Sequence, residues 1–233
     1  MVAGGTKSTD TNTIVPDATS ITHNGTTYGF VTSPHTGKVW LDKNLGAAEI
    51  CAGLDDAQCY GDYYQWGRGH DGHQESNSDT TSAQVTDIND VGDGKFITDD
   101  GVNNYDWTFV DVSGITRQVN WSKTDGTSVC PVGFRVPTKV ELENETILAS
   151  DVTGSTRVIN NGTAFSNFLK LPSAGYRNNS DGLVHDVVQW GYVWTSSAAG
   201  FDSRSLDLSF NSVNARIGDS GRANGYSVRC LRN

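Results

Sequence analysis

The chain has 233 residues, of which 36% are hydrophobic and 19% are charged, and its formal net charge at pH 7 is −10. Binding to a phosphate backbone requires a basic face, so the acidic balance argues against nucleic acid as a partner. No run approaches the roughly 20 apolar residues that span a bilayer, so we expect no membrane insertion. With 26 glycines and 5 prolines, the composition indicates a turn-rich globular protein.

The N-terminal residues 1–20 are rich in Thr, Ser, Gly and Asp and are predicted to be a flexible tail or linker before a single domain, residues 21–233. The first 13 residues lack a basic segment followed by an apolar stretch, so we expect no signal peptide. Tyr28–Val31 and Val39–Leu41 are short apolar runs around a turn sequence and predict an N-terminal hairpin.

Two helices are predicted. Residues 57–67 have Tyr60, Tyr63, Tyr64 and Gly67 at helical spacing. A second helix begins after Thr138, because Glu141 three residues later completes the capping-box pattern. The apolar side of this second helix would consist of Val140, Leu142, Ile147 and Leu148.

Residues 69–129 are crowded with Asp, Gly, Ser, Thr and Asn, and only short apolar pieces interrupt them. These pieces are Phe96–Ile97, Trp107–Val110 and Val119–Trp121. The segment is predicted to be a long insertion of loops and short strands, and loops of this size are often functional.

The C-terminal third has a period of two. Phe168, Leu169 and Leu171 are predicted to open one strand, and Val193 and Trp194 to lie in another. Two further strands are predicted, one with Leu206, Leu208 and Phe210 alternating with Asp207 and Ser209, and one with Tyr226, Val228 and Cys230. Alternation directs one face to the core and the other to water. The predicted class is therefore α+β: a hairpin, two helices and antiparallel strands.

Four cysteines occur, at positions 51, 59, 130 and 230, without a C-x-x-C pair. Three pairings are possible. We favour Cys51–Cys59, a short local loop, and Cys130–Cys230, which ties a middle segment to the last strand. Four buried free thiols are the alternative. Disulfides would imply an oxidising, extracellular location.

Motifs for catalysis and metal binding are weak or absent. The pair His70 and His73 could bind a metal, but a solvated loop is the favoured interpretation. Asp87, Asn89 and Asp93 resemble half of a calcium loop, but Thr98 stands where a bidentate acid is expected. We therefore favour a plain acidic turn, with calcium as the alternative, and expect no other metal or cofactor.

Tryptophan is frequent in the chain, with six residues. Trp40, Trp66 and Trp194 lie in apolar patterns and are predicted to be core residues. Trp190, between Gln189 and Gly191 in a turn-like stretch, is the best candidate for an exposed aromatic anchor.

Five sequence strings in order carry a family resemblance. They are GKVWLDKNLGA (37–47), YGDYYQWGR (60–68), CPVGFRVPT (130–138), LPSAGYR (171–177) and YSVRC (226–230). Their order and spacing resemble the Fibrobacter-type major paralogous domain, a C-type-lectin-like module of microbial surfaces. The resemblance runs from about Tyr28 to the C-terminus and implies a C-type-lectin-like fold.

The segment from Leu171 to Cys230, and especially RANGYSVRC (222–230), is similar to the variable proteins of diversity-generating retroelements. These are receptors of phages, archaeal viruses and some cells, and error-prone copying of template adenines rewrites their C-terminal face. No Lys follows Lys170 and no Glu follows Glu145, as randomised AAC codons would give. The resemblance implies a receptor or adhesin, not an enzyme, on a virion, at a cell surface or outside the cell.

The predicted binding residues are of mixed type and lie between expected inward scaffold residues. The scaffold consists of Tyr176, Trp194, Leu206, Leu208, Phe210, Val228 and Cys230. The binding residues are His185, Asp186, Trp190, Ala199, Phe201, Asp202, Ser203, Asp207, Ser209, Arg216, Gly218, Asp219 and Ser220. We expect one solvent-facing patch that contacts a host or target surface protein or a glycan, strengthened by multivalent display. Unselected surface is the alternative.

Three other functions compete with this interpretation. A fixed extracellular module of the same fold could bind polysaccharide. The formylglycine-generating enzymes share a C-type-lectin-like core and use active cysteines. A calcium-dependent sugar lectin has little support, because its Glu-Pro-Asn or Gln-Pro-Asp and Trp-Asn-Asp strings are absent.

Overall fold

The computed structural model describes residues 19–89, 91, 93–99, 105–200 and 204–233. These residues form an α+β structure with three short helices, α1 (Ile115–Trp121), α2 (Lys139–Glu145) and α3 (Asn161–Ser166). The strands in chain order are β1 (Ser20–His23), β2 (Thr26–Thr32), β3 (Val39–Leu41), β4 (Tyr64–Gln65), β5 (Thr80–Thr81), β6 (Phe96–Ile97), β7 (Phe134–Arg135), β8 (Tyr176–Arg177), β9 (Val184–His185), β10 (Gly191–Ala198), β11 (Arg204–Phe210), β12 (Ala215–Gly221), β13 (Gly225–Tyr226) and β14 (Leu231–Arg232).

The strands form small sheets that the C-terminal segment connects. The sheet orders are β1-β2-β3-β14-β7, β4-β13-β8-β9 and β10-β11-β12, all antiparallel, together with the parallel pair β5-β6. The last strand, β14, lies between β3 and β7, so both ends of the described domain meet in one sheet. A bridge between Val193 and Ser227 attaches β10 to the same C-terminal segment.

Several local predictions are confirmed. The strands β2 and β3 pair as an antiparallel hairpin. The helix α2 begins at Thr138 with the predicted capping box, in which Thr138 and Glu141 each bond the other's backbone. Trp40, Trp66 and Trp194 are fully buried. Both favoured disulfides, Cys51–Cys59 and Cys130–Cys230, are formed.

The predicted helix at 57–67 is wrong. Only Ala57–Cys59 forms one turn of 3₁₀-helix, and the chain then continues into the strand β4. Gly61 and Gly67 adopt positive φ values of 76° and 79°, which a helix does not contain. A Cβ at Gly61 would lie 2.3 Å from the carbonyl oxygen of Leu45. The tyrosines of this segment are buried in two clusters, Tyr60 and Tyr63 in one and Tyr64 in the other, rather than on one helical face.

Three further predictions need correction. Phe168, Leu169 and Leu171 follow α3 in an irregular segment and form no strand, because the end of α3 fixes this part of the chain. Three helices rather than two occur in the described residues, and α1 lies inside the predicted insertion. Of the predicted apolar side of α2, Leu142 is buried and Ile147, beyond the end of the helix, packs partly against the core, whereas Val140 and Leu148 are exposed.

A buried ion network joins the segment after residue 104 to the C-terminal sheet. Arg117 in α1 makes two bonds to the carboxylate of Asp106, of 2.6 and 2.8 Å. Arg222, after β12, reaches the same carboxylate at 3.3 Å. Both guanidinium groups lie over the ring of Trp66, at 5.5 and 5.0 Å. Because charge, hydrogen bonds and ring contacts are all satisfied, this segment is held against the end of β12.

The two disulfides indicate an oxidising environment of the extracellular or secreted kind, because such bonds are rare in reducing compartments.

The disulfides differ in the length of chain that each one closes, with sequence separations of 100 and 8 residues. Restriction of the unfolded chain should make the longer loop worth about 4–5 kcal/mol and the shorter about 2–3 kcal/mol. We therefore expect Cys130→Ala/Cys230→Ala to lose more unfolding free energy in urea than Cys51→Ala/Cys59→Ala. An equal or larger loss in the second variant would contradict this expectation.

Candidate functional site

The register of β10, β11 and β12 brings polar and aromatic side chains to one face of their sheet. Trp194, Asp207 and Gly218 lie opposite one another across the three strands. Tyr192, Ser209 and Arg216 form the next row. Residues paired in this way share a face. We call this the pocket face, and it consists of Tyr192, Trp194, Asp207, Ser209, Arg216, Gly218 and Ser220.

The other face of the same strands is apolar and packs on the core. Val193, Leu208 and Phe210 lie in a buried cluster with Trp40 and Leu142. Ile217 of β12 packs against the same cluster. The strands β11 and β12 therefore pack their apolar side chains on this face. On the pocket face, Trp194 of β10 is fully buried in a second cluster with Leu41 and Val228, while the other positions hold polar groups or, at Gly218, no side chain.

A column of aromatic rings borders the pocket face. Trp190 stacks on Tyr192 at 5.8 Å, Tyr192 on Tyr226 at 4.6 Å, and Tyr226 on Trp194 at 4.3 Å. Tyr176 meets Tyr192 edge to face at 5.3 Å. Ring pairs at these distances are favourable and resist rearrangement, so they form a firm wall.

The pocket face and these rings enclose a cavity of about 450 Å³. Its volume is within the range of small-ligand sites. The residues that line it are Tyr176, Asn178, Asn179, Trp190, Tyr192, Asp207, Ser209, Arg216, Ile217, Gly218, Asp219, Ser220, Asn224 and Tyr226.

Asp207 and Ser209 are buried, which corrects the prediction that they point to water: Asp207 is 1% exposed. Both faces of β11 are covered, one by the core and the other by the pocket walls. Tyr226 donates a hydrogen bond of 2.9 Å to Ser220, and Ser220 hydrogen bonds the carboxyl of Asp207. The second oxygen, Oδ1, has no hydrogen-bond partner among the described residues.

The pKa of Asp207 is raised from 3.8 to about 7. Burial is the main cause, because it removes water from the charged form. Asp219 raises the pKa further, and the hydrogen bond from Ser220 and the charge of Arg216 lower it only in part. The same burial raises the pKa of Tyr226 well above 10, with Asp207 as the second cause.

Gly218 leaves space directly beside this carboxyl group. A Cβ at Gly218 would lie 3.6 Å from Ser209 Oγ and 3.7 Å from Asp207 Oδ2, which are ordinary contact distances. A side chain would therefore fit here and would fill part of the cavity. Because Gly218 has no side chain, the space beside the carboxyl group of Asp207 remains part of the cavity.

The charged groups around the rim are exposed. Asp219 pairs with Arg204 at 3.2 Å, and His185 pairs with Asp181 at 2.8 Å. Arg216 is also exposed. Within the described ranges, Asp207 takes part in no ion pair.

Seven of the predicted binding residues line the cavity: Trp190, Asp207, Ser209, Arg216, Gly218, Asp219 and Ser220. His185 and Asp186 lie beside it, since the ring of His185 is 6.0 Å from that of Tyr176. Ala199 is at the opposite end of β10 from Trp190, where its N–H bonds Arg204. Phe201, Asp202 and Ser203 lie outside the described residues. Of the predicted scaffold, Tyr176 and Leu206 are half-buried and the rest are buried.

The prediction did not include Tyr192, Tyr226, Asn178, Asn179 and Asn224. A usable signal existed for Tyr192, because Trp190, Tyr192 and Trp194 follow the strand period of two. The asparagines come from separate turns, so only the fold could bring them to the rim.

The weaker metal motifs have other partners. His73 is buried, which corrects its assignment to a solvated loop: Nε2 accepts from the N–H of Gln65 and Nδ1 bonds Asp71 at 2.6 Å. Burial lowers the pKa of His73 to about 4. In the acidic turn, Asp87 accepts a bond from the N–H of Asn89. Asp90 and Gly92 of this turn lie outside the described residues.

Replacing Asp207 should make the protein more stable at high pH. The folded state holds a proton on Asp207 up to about pH 7, whereas the unfolded state releases it near 3.8. The free energy of unfolding should therefore fall as pH rises between these values. Asp207→Asn removes this loss. We therefore expect the free energy of unfolding of the variant, measured in urea, to exceed that of the parent by about 1–3 kcal/mol at pH 8 and to differ little from it at pH 4.

The matched control for this experiment is Asp219→Asn, which removes an exposed carboxyl group on the neighbouring strand. It retains Asp207, so its difference in unfolding free energy from the parent should change little between pH 4 and pH 8. If the Asp207→Asn variant is less stable than its parent at pH 8, burial of Asp207 does not destabilise the folded state at that pH and the expectation is wrong.

In the part of the chain that the structure describes, no helix is long and apolar enough to cross a membrane. The same part contains no group of three or more His, Cys, Asp and Glu residues placed to hold a metal ion. Comparison of the chain with family models, curated proteins and solved structures found no match.

Proposed function

We propose that this protein is a ligand-binding receptor or adhesin of C-type-lectin-like fold, and that the pocket face is its contact surface. The partner is a surface protein of a host or target. The observation that carries the proposal is the cavity itself, where seven residues expected from sequence meet over a sheet whose other face is buried.

The two-faced sheet suits a surface that changes its specificity. Leu208 and Ile217 anchor β11 and β12 through the apolar face. Ser209, Arg216 and Gly218 lie on the other face, where Arg216 is exposed and Gly218 has no side chain. Binding residues on rigid strands keep their geometry when their identities change. The similarity to retroelement variable proteins supplies a mechanism for such changes.

We assign the protein to a virion or a cell surface, where an oxidising environment preserves both disulfides. A single cavity of about 450 Å³ provides a small contact area. Display in several copies, as on a viral tail fibre, would raise avidity by about two to four orders of magnitude.

A fixed carbohydrate-binding module is the second candidate. It is favoured by the combination of aromatic rings with the amides of Asn178, Asn179 and Asn224 at the rim. Amide groups and ring faces are suited to hydroxyl groups and the apolar faces of sugars. In this alternative the pocket residues would not vary between isolates.

An enzyme of the formylglycine-generating type has less support. Its chemistry needs active cysteines, and all four cysteines here lie in disulfides. Their positions suit two structural bridges better than a reactive thiol.

Sequencing the 3′ end of this gene in many sister isolates tests the proposal. We expect amino-acid changes to cluster at Ser209, Arg216 and Ser220. Val193, Leu208 and Phe210, on the buried face of the same strands, are the internal control and should stay constant. A reverse-transcriptase gene nearby, with a near-copy of the 3′ end, would agree with this pattern. Changes scattered evenly over both faces would refute diversification.

The two faces should also differ in their tolerance of mutation. Because Arg216 is exposed, Arg216→Ala should change the unfolding free energy by no more than about 0.5 kcal/mol. Leu208→Ala removes a fully buried side chain and should lose about 2–5 kcal/mol. Urea unfolding at pH 5 measures both. Equal losses would show that the pocket face is part of the folding core.

A further inference from the structure

The floor of the cavity carries an acidic group that the protein leaves without a cation. Asp207 is 1% exposed, and its Oδ1 has no hydrogen-bond partner among the described residues. Natural proteins pair buried carboxylates with cations, with metals or with several hydrogen-bond donors. An incompletely satisfied carboxyl group that lines an open cavity therefore points to a ligand.

The nearby cations of the chain have other positions. Arg204 forms an ion pair with Asp219, and the strand register places both residues on the opposite face of the sheet from Asp207. Arg216 is exposed at the rim and makes no ion pair with Asp207 in the described structure. Among the described residues, no cationic side chain is within ion-pair distance of Asp207, so a cationic group of a ligand could take this place.

The walls of the cavity suit a long side chain with a charged end. Tyr192, Trp190 and Tyr176 present aromatic surface along one side. Lysine and arginine side chains pack their methylene groups on such surface, and their charged ends are attracted to aromatic rings. The absent side chain at Gly218 leaves the approach to Asp207 open.

We propose that the pocket face binds a lysine or arginine side chain of the partner protein, with the carboxylate of Asp207 receiving the cationic group. This inference rests on the proposed function and adds the chemical feature that the partner must offer. The net charge of −10 would also favour approach of a basic surface.

The test uses the full chain and two matched pairs of short peptides. Ac-Gly-Lys-Gly-NH₂ is compared with its norleucine analogue, and Ac-Gly-Arg-Gly-NH₂ with its citrulline analogue. Binding is followed at pH 8 through the NMR signal of the Trp190 indole. We expect at least one cationic peptide to bind about tenfold or more tightly than its neutral partner. Equal affinity within both pairs would overturn the proposal.

Two isosteric variants assign the preference to one carboxyl group. Asp207→Asn should reduce the advantage of the cationic peptide to less than about twofold, because the amide carries no charge. Asp219→Asn should retain most of it. Gly218→Leu should weaken both members of each pair, because its side chain fills the cavity. A preference that survives in Asp207→Asn would overturn the assignment, and circular dichroism verifies that each variant is folded.

The pH dependence gives an independent readout. Protonation of Asp207 competes with the cation, so affinity should fall about 100-fold between pH 8 and pH 5 for a group with a pKa of about 7. The titratable and charged groups that interact electrostatically with Asp207 are Arg216 and Asp219 on β12, Tyr192 on β10 and Tyr226 on β13. Asp207→Asn, which retains every other titratable group around the cavity, provides the baseline. A pH profile unchanged in Asp207→Asn would count against the proposal.

Neutral sugars form the last arm of the test. If methyl α-mannoside or methyl β-galactoside binds and the cationic peptides do not, the cation proposal fails and the carbohydrate alternative gains support. The outcomes also separate the two proposals. Amino-acid changes scattered evenly among isolates would refute the diversified receptor, and the peptide affinities would still decide the proposed preference for cationic side chains. Equal peptide affinities would refute only the proposed binding of a cationic side chain.

Discussion

A carboxyl group buried without a cation has three possible fates: it keeps its proton, it finds a partner, or it weakens the fold. Asp207 is in this position, at the centre of a three-stranded sheet and beside an open cavity. Among the described residues, the hydrogen bond from Ser220, which itself accepts from Tyr226, and the charge of Arg216 favour its ionised form. The arrangement is unfavourable for stability near neutral pH and favourable for recognising a positive charge, and such conflicts are typical of functional sites.

Contacts elsewhere in the molecule offset the unfavourable burial of Asp207. The apolar face of β10–β12 packs on a core that also contains Trp40 and Leu142. Asp106, held by Arg117 and Arg222, attaches the inserted segment to the end of the same sheet. The disulfide at Cys230 fixes the chain end that carries β13 and β14. Much of the stability thus comes from contacts outside the pocket face, although the buried rings of Trp194 and Tyr226 contribute to the core as well as to the border of the cavity.

Sequence reasoning succeeded where the information is local. The capping box at Thr138 and the β2–β3 hairpin are both short-range patterns. It failed where distant segments decide. The helix at 57–67 was excluded by the approach of Gly61 to Leu45, and burial of Asp207 depends on walls contributed by other strands. Seven of the fourteen residues that line the cavity could be predicted, because polar positions in the last strands stood out from the apolar pattern. Their meeting in one cavity follows only from the strand register.

The most direct measurement of the central claim is an NMR titration of the Asp207 side-chain carboxyl carbon, with and without Ac-Gly-Lys-Gly-NH₂. We expect the titration midpoint of Asp207 to lie near pH 7 in the free protein. Addition of the peptide should move this midpoint downwards, because a bound cation favours the ionised form. A midpoint near the ordinary aspartate value of 3.8, unchanged by the peptide, would contradict the account.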